Sequence, residues 1–223
     1  ALQLDDAALR QSVRALASKE DGKTLIMLSG RALREDALAI AQSITERTGA
    51  HLLAQQSNAR TQRGRGRVAI ERVPYNVDAA LKLLAPYQRV ICIGAKAPVA
   101  FFAYPGKPGS MLPANCEVIT LSPLGGDALQ ALQHLAEAVG ANGKPQSLIA
   151  QPHLEASEQL SWSTATPINP LTFAQAMAEL IPVNAIVCDE SVSSGRDFFR
   201  HTMQAAPHDY LQITGGAIGN GIP

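Results

Sequence analysis

Short strand-like apolar runs that alternate with segments of helical periodicity limit this chain to the α/β class. Residues 24–28, 51–54, 89–94 and 117–121 are runs of the length and composition of buried strands. Between and before them, residues 7–17, 33–48, 78–84 and 127–139 carry helical spacing. In the second of these, Leu38, Ala41, Ile44 and Thr45 share one side, and Gly49 ends the pattern. Strands joined through helices require right-handed crossovers, which give a parallel sheet covered on both faces. The expected fold is therefore α/β, with a doubly wound, mostly parallel, Rossmann-like sheet over residues 1–145.

The pattern then breaks. Residues 141–168, with Gly143, Pro145, Pro152, Pro167 and a polar Ser-Glu-Gln stretch, read as an exposed interdomain connection, the linker itself being 146–168. A second alternation begins at Pro170, which a helix tolerates in its first turn. Strand-like runs at 185–189 and 210–214 flank a helix expected at 196–204. Residues 169–223 thus read as the opening of a second α/β domain with two strands, too few to bury a doubly wound sheet. The chain stops within what reads as a strand-turn-helix unit, so the expectation is a portion of a larger protein.

Charge and cysteine content exclude several classes. Nineteen basic residues balance nineteen acidic ones, so no global field favours nucleic acid or an anionic membrane. No apolar run approaches the length of a membrane span. Cys92, Cys116 and Cys188 lack CxxC spacing, which points to reduced, buried thiols in a cytoplasmic protein and away from zinc. His51, His134, His153, His201 and His208 show no ligand or triad spacing, so no metal-ligating residue is assigned.

Two turns of the second segment could carry chemistry. Asp189-Glu190-Ser191-Val192-Ser193-Ser194-Gly195 and Gly215-Gly216-Ala217-Ile218-Gly219-Asn220-Gly221 each follow a parallel-type strand. Both therefore lie at the carboxyl ends, where open α/β sheets bind ligands. The first offers hydroxyls and amides suited to phosphate; the second offers bare backbone and one aliphatic wedge. Serine caps and plain glycine turns fit the same residues, and spacing alone leaves both readings open.

The order Thr-Pro-Ile-Asn-Pro, a helix, Asp-Glu-Ser-Val-Ser-Ser-Gly, then Gly-Gly-Ala-Ile-Gly-Asn-Gly-Ile-Pro resembles thiamine-diphosphate-dependent enzymes of the acetolactate synthase, benzoylformate decarboxylase and pyruvate decarboxylase group. Gly30-Arg31-Ala32-Leu33, Thr48-Gly49-Ala50 and the run from Gly94 to Pro108 look most like acetolactate synthase large subunits of the benzoylformate-decarboxylase-like branch. The resemblance implies a middle domain followed by the start of a diphosphate-binding domain. It implies that Ser191, Val192 and Ser193 line the diphosphate end of the cofactor. The Gly216 carbonyl would meet the aminopyrimidine, with Ala217 beside it and Ile218 holding the cofactor bent, a task that suits a stiff β-branched side chain. No catalytic residue is implied in this chain. The activating glutamate and the Gly-Asp-Gly…Asn signature for Mg2+ and diphosphate would lie elsewhere, and the chain alone would be inactive. The whole enzyme would decarboxylate a 2-oxo acid and join or release the product, as a homodimer or homotetramer without nucleic-acid or membrane partners. The rival readings are a stand-alone nucleotide-binding module and a dimerisation module without catalysis.

Three weaker signals have plainer readings. Arg60, Arg63, Arg65 and Arg67 lie in a glycine-containing loop without a stacking aromatic, which fits contact with a neighbouring domain better than RNA binding. Residues 24–95 hold no GxGxxG fingerprint, so no nucleotide cofactor is expected there. The aromatic run Phe101-Phe102-Ala103-Tyr104 reads as a rigid loop packed on another domain. Asp189 and Glu190 point to opposite faces of their strand, so they are expected to make capping or interdomain hydrogen bonds.

Overall fold

The computed structural model describes residues 5–18, 23–146, 148, 167–191, 195, 198–216, 218–219 and 221. The elements in chain order are α1 (Asp6–Ala17), β1 (Lys23–Leu28), α2 (Glu35–Thr48), β2 (His51–Ala54), β3 (Arg60–Arg63), α3 (Val77–Leu84), β4 (Tyr87–Ile93), β5 (Glu117–Ser122), α4 (Ala128–Val139), α5 (Pro170–Leu180), β6 (Ile186–Asp189), α6 (Phe198–His201) and β7 (His208–Gln212). They form two compact units, one from residues 1–59 and 70–146, the other from 60–69 and 147–223.

The first unit is an all-parallel sheet in the order β2-β1-β4-β5. Leu25 to Leu28 and Val90 to Ile93 are buried without interruption, as strands covered on both faces must be. Leu25, Met27, Val90 and Cys92 share one cluster with Ala80 and Leu84 of α3. On β1's other side, the Thr24 hydroxyl donates to the Ala15 carbonyl of α1 at 3.1 Å. Local signals start and stop these helices. Asp5, Asn76 and Asp127 accept from Ala7, Ala79 and Gln130 amides at 2.8, 3.0 and 3.0 Å, and Gly49 and Gly140 end α2 and α4 in the left-handed conformation. The doubly wound expectation holds for this unit. One crossover departs from it: residues 94–116, between β4 and β5, contain no helix. Phe101, Phe102 and Tyr104 follow one another there, and Phe101 meets Tyr75 at 5.6 Å between ring centroids, within the same unit.

Gly94 ends β4 where the strand order switches direction. A Cβ there would stand 2.7 Å from the Ser29 carbonyl oxygen, so close backbone packing requires this glycine.

The second unit's sheet runs β3-β7-β6, with β6 parallel and β3 antiparallel to β7. Residues 60–63, expected in a loop of the first domain, are thus the third strand of the second unit. Arg-Thr-Gln-Arg shows no apolar alternation, yet Thr61 and Arg63 are buried because β7 and its aromatic neighbours cover them. The core holds Ala174, Ile181, Phe198, Phe199, Ala205 and Tyr210. Helix α5 begins at a capping box: Asn169 accepts from the Leu171 and Thr172 amides at 3.0 Å, and Thr172 Oγ1 accepts from the Asn169 amide. The helix expected over 196–204 consists of α6 followed by a 3-10 turn at Thr202–Gln204. Most of the expected connection, residues 147 and 149–166, lies outside the described residues.

The thiols correct one expectation. Cys92 is buried and Cys116 half-buried, but Cys188 is exposed, because it shares the open face of β6 with Ile186.

Candidate functional site

Strands β6 and β7 pair in parallel with Asp189 opposite Gln212, so the two candidate turns leave the sheet side by side at its carboxyl end. Asp189 shapes the first. Its Oδ1 accepts from the Ser191 amide at 2.9 Å and from the Ser191 hydroxyl, which closes an Asx turn. Its Oδ2 accepts from the Tyr210 hydroxyl at 2.6 Å. Gly195 folds back on the same turn; a Cβ there would overlap Ser191 Oγ.

The second turn is built of glycines that need positive φ: Gly215 at 64°, Gly216 at 71° and Gly219 at 98°. Among the described residues, chain neighbours aside, no atom stands within 4 Å of where a Cβ would sit on Gly215 or Gly219, which leaves the backbone open on that side. Beside them Ile218 is 81% exposed. Glu190 joins the two turns, because its carboxylate accepts from the Gly219 amide and, at 3.2 Å, from the Gly221 amide.

The sequence-assigned residues fall into place as follows. Ser191 is exposed in the first turn, and Gly216 and Ile218 are exposed in the second. Val192, Ser193 and Ala217 lie outside the described residues. Asp189 and Glu190 act as acceptors for backbone and side-chain donors, within one unit. Two contributors escaped the sequence reading: the Tyr210 hydroxyl and the Glu190 link. The signal for the first was the alternation His208-Asp209-Tyr210-Leu211-Gln212, which puts Tyr210 on the buried face. Among the described residues, no group of three or more His, Cys, Asp or Glu side chains is placed to hold a metal ion.

Glu190 occupies the amides of Gly219 and Gly221, so these two do not serve a phosphate while that link holds. An anion at the first turn would need donors other than the Ser191 amide and hydroxyl, which Asp189 holds. The open glycine backbone and exposed Ile218 leave room for a flat ring beside the second turn.

Known proteins resemble this chain in sequence and in fold. No model of a known protein family matches the chain. It is 36% identical over 200 residues to a Mycobacterium tuberculosis (strain ATCC 25618 / H37Rv) protein named "Putative acetolactate synthase large subunit IlvX", which covers 89% of this chain and 37% of that protein. Its fold matches the Rhodococcus jostii RHA1 thiamine diphosphate-dependent 4-hydroxybenzoylformate decarboxylase with a TM-score of 0.66 at 19% identity, over 100% of this chain and 43% of that one. A "putative thiamin diphosphate-dependent enzyme" of Mycobacterium smegmatis matches with a TM-score of 0.63 at 20% identity, over 99% of this chain and 44% of that one. In sequence the chain is thus similar to a protein named for the acetolactate synthase large subunit, and in fold to thiamine-diphosphate-dependent enzymes; it spans 37% of the length of the curated relative that it matches.

Proposed function

We propose that this polypeptide contributes the middle domain and the first part of the diphosphate-binding domain to an enzyme that decarboxylates a 2-oxo acid. In this reading the enzyme also joins the product to a second carbonyl, as an acetolactate synthase does. The observation that carries the proposal is the junction of the two turns through Glu190, with open glycine backbone and an exposed Ile218 on one side and the Ser191 turn on the other. Thiamine diphosphate, when bound, supplies a nucleophilic carbon and an electron sink for the departure of carbon dioxide.

The chain's own residues would bind and orient. Ser191, Val192 and Ser193 would receive the diphosphate, and the Gly216 carbonyl would accept from the aminopyrimidine, with Ala217 alongside. Ile218 would support the rings from below and hold their relative angle, which is preorganisation rather than chemistry. Asp189 and Glu190 stand beside the proposed anion site and would repel a diphosphate without a cation between them. This supports Mg2+ dependence, with the ion's ligands supplied from outside this chain. No helix among the described residues is long and apolar enough to cross a membrane. A cytoplasmic homodimer or homotetramer, inactive without its remaining domains and without nucleic-acid or membrane partners, completes the proposal.

The test is a calorimetric titration of the full-length protein with thiamine diphosphate, with and without Mg2+, followed by carbon dioxide release from a panel of 2-oxo acids. Magnesium-dependent binding that Ile218→Ala weakens is the expected result. No binding under either condition would remove the proposal.

A further inference from the structure

The second unit buries an arginine that the cofactor reading does not use. Arg63 in β3 is 2% exposed, and its guanidinium carbon lies 3.9 Å from the centre of the Phe199 ring and 5.0 Å from that of Tyr210. Its Nη2 donates to the Phe199 carbonyl oxygen. Burying a cation is costly, and an apolar side chain of similar volume is often the more stable choice in such a place. What the cation adds is geometry, since it attracts both aromatic faces and holds their planes.

Those planes lead to the site. Phe199 and Tyr210 meet edge to face at 5.2 Å and 86°. Tyr210 is fully buried, so the orientation of its ring fixes the direction of its hydroxyl, which donates to Asp189 Oδ2 at 2.6 Å. The other oxygen of Asp189 holds the Ser191 amide at 2.9 Å and the Ser191 hydroxyl. The strand that carries Arg63 is itself pinned. Arg60 makes a two-pronged ion pair with Asp209 at 2.9 and 2.8 Å, Arg67 donates to the His208 carbonyl at 2.9 Å, and the Arg65 amide donates to the Ala205 carbonyl at 2.9 Å.

We infer that Arg63 is a positioning residue for the Ser191 turn, acting through the Tyr210 hydroxyl and Asp189. It touches neither ligand nor reacting atoms; it decides how the turn that receives the diphosphate is held before the cofactor arrives. The cofactor part of this inference rests on the proposed function. The relay itself rests on the four residues and their distances.

The experiment compares the unaltered full-length protein with Tyr210→Phe, Arg63→Met, Arg63→Lys and the Arg63→Met/Tyr210→Phe pair. Amide hydrogen exchange of the cofactor-free protein is read at Ser191 and, as reference, along β6 and β7. Tyr210→Phe keeps the ring and removes only the hydroxyl. It is expected to speed exchange at Ser191 about tenfold, the scale of one lost hydrogen bond, with little change in the strands. Arg63→Met is expected to do the same, the pair no more than the larger single change, and Arg63→Lys to recover part of the protection. Calorimetry with thiamine diphosphate and Mg2+ should show a matching loss of affinity. Unchanged exchange at Ser191 in Tyr210→Phe overturns the relay. Equal acceleration in β6 and β7 overturns it as well, since Arg63 would then only stabilise the unit. Additive effects in the pair do the same. If Arg63→Met fails to fold, Arg63→Lys and Tyr210→Phe still decide. Failure of the unaltered protein to bind the cofactor would overturn the functional reading, while the exchange data judge the relay in either case.

Discussion

The two sheets hold together by different means. In the first unit, β1 and β4 bury Leu25–Leu28 and Val90–Ile93 completely, with apolar neighbours on both faces. In the second, β6 alternates exposed and half-buried residues, with Ile186 70% exposed, and much of the specific structure is polar. Arg63 lies on Phe199 and Tyr210, Arg60 pairs with Asp209, Asp189 holds Ser191, and Glu190 holds the glycine turn. Apolar area supplies most of the stability of a domain but little direction, whereas hydrogen bonds supply direction for a modest net gain. The first unit is therefore built to persist, and the second to hold particular atoms in particular places.

The largest expected effect tests the first half of that contrast. Leu25→Ala removes a side chain with no exposure, sealed by Met27, Val90 and α3, and should cost about 2–5 kcal/mol in denaturant unfolding followed at β1 and β4. A cost below about 1 kcal/mol would mean that this core tolerates cavities, and the contrast would lose its basis.

Gly64→Ala tests the second half. Gly64 has φ 116°, and a Cβ would stand 2.7 Å from the Ala206 carbonyl oxygen and 2.7 Å from Pro207 Cα. The backbone must move, and the strand that brings Arg63 to its rings moves with it. A loss of about 1–3 kcal/mol is expected, read as faster exchange at the amides of β3 and β7. If β3 exchanges as slowly as before, the strand adapts and its pairing is less demanding than the geometry indicates.

These differences track how much of the molecule was legible beforehand. The strands of the first unit followed from apolar runs such as Thr24-Leu25-Ile26-Met27-Leu28, most clearly β1 and β4, whose burial on both faces leaves a continuous apolar signature. Strand β3 was not legible, because its partners are a ring, a carbonyl and a carboxylate distant in sequence. The two turns were legible as turns, from glycines and serines that follow strand-like runs, although spacing alone did not separate a ligand site from plain caps and turns. Their wiring was not legible. Glu190 reaches Gly219 and Gly221, and Tyr210 reaches Asp189, only once β6 and β7 are paired in register. Tertiary pairing rather than local spacing creates those contacts.

Acid should separate the units more gently. In the second, burial holds the His208 imidazole below its ordinary value of 6.5. Its bond to the Ala206 carbonyl opposes this, Arg63 and Arg67 add to the depression, and Asp209 opposes it. The folded unit therefore keeps this ring neutral, while the unfolded chain protonates it near 6.5. The stability it contributes is complete above that value and is lost as the pH falls towards the depressed folded value. His51, in the first unit, is shifted the same way by burial and by Lys23, but it is an exposed residue and solvent screens it. Between about pH 7.5 and 5.5 the second unit should lose more stability than the first, and His208→Gln should flatten its response. An equal loss in both units would place the acid sensitivity elsewhere.

The smallest effect is the sharpest control. Ile186 and Leu25 are both aliphatic strand residues, and both become Ala by losing a similar volume. Their environments differ: Leu25 is enclosed, whereas Ile186 already gives 70% of its surface to water. Hydrophobic stabilisation scales with the area removed from water, so little remains for Ile186→Ala to forfeit. It should change unfolding by no more than about 0.5 kcal/mol, against several for Leu25→Ala. If Ile186→Ala costs as much as Leu25→Ala, the outer face of β6 is covered in solution. The second unit's sheet would then draw on apolar burial as the first does.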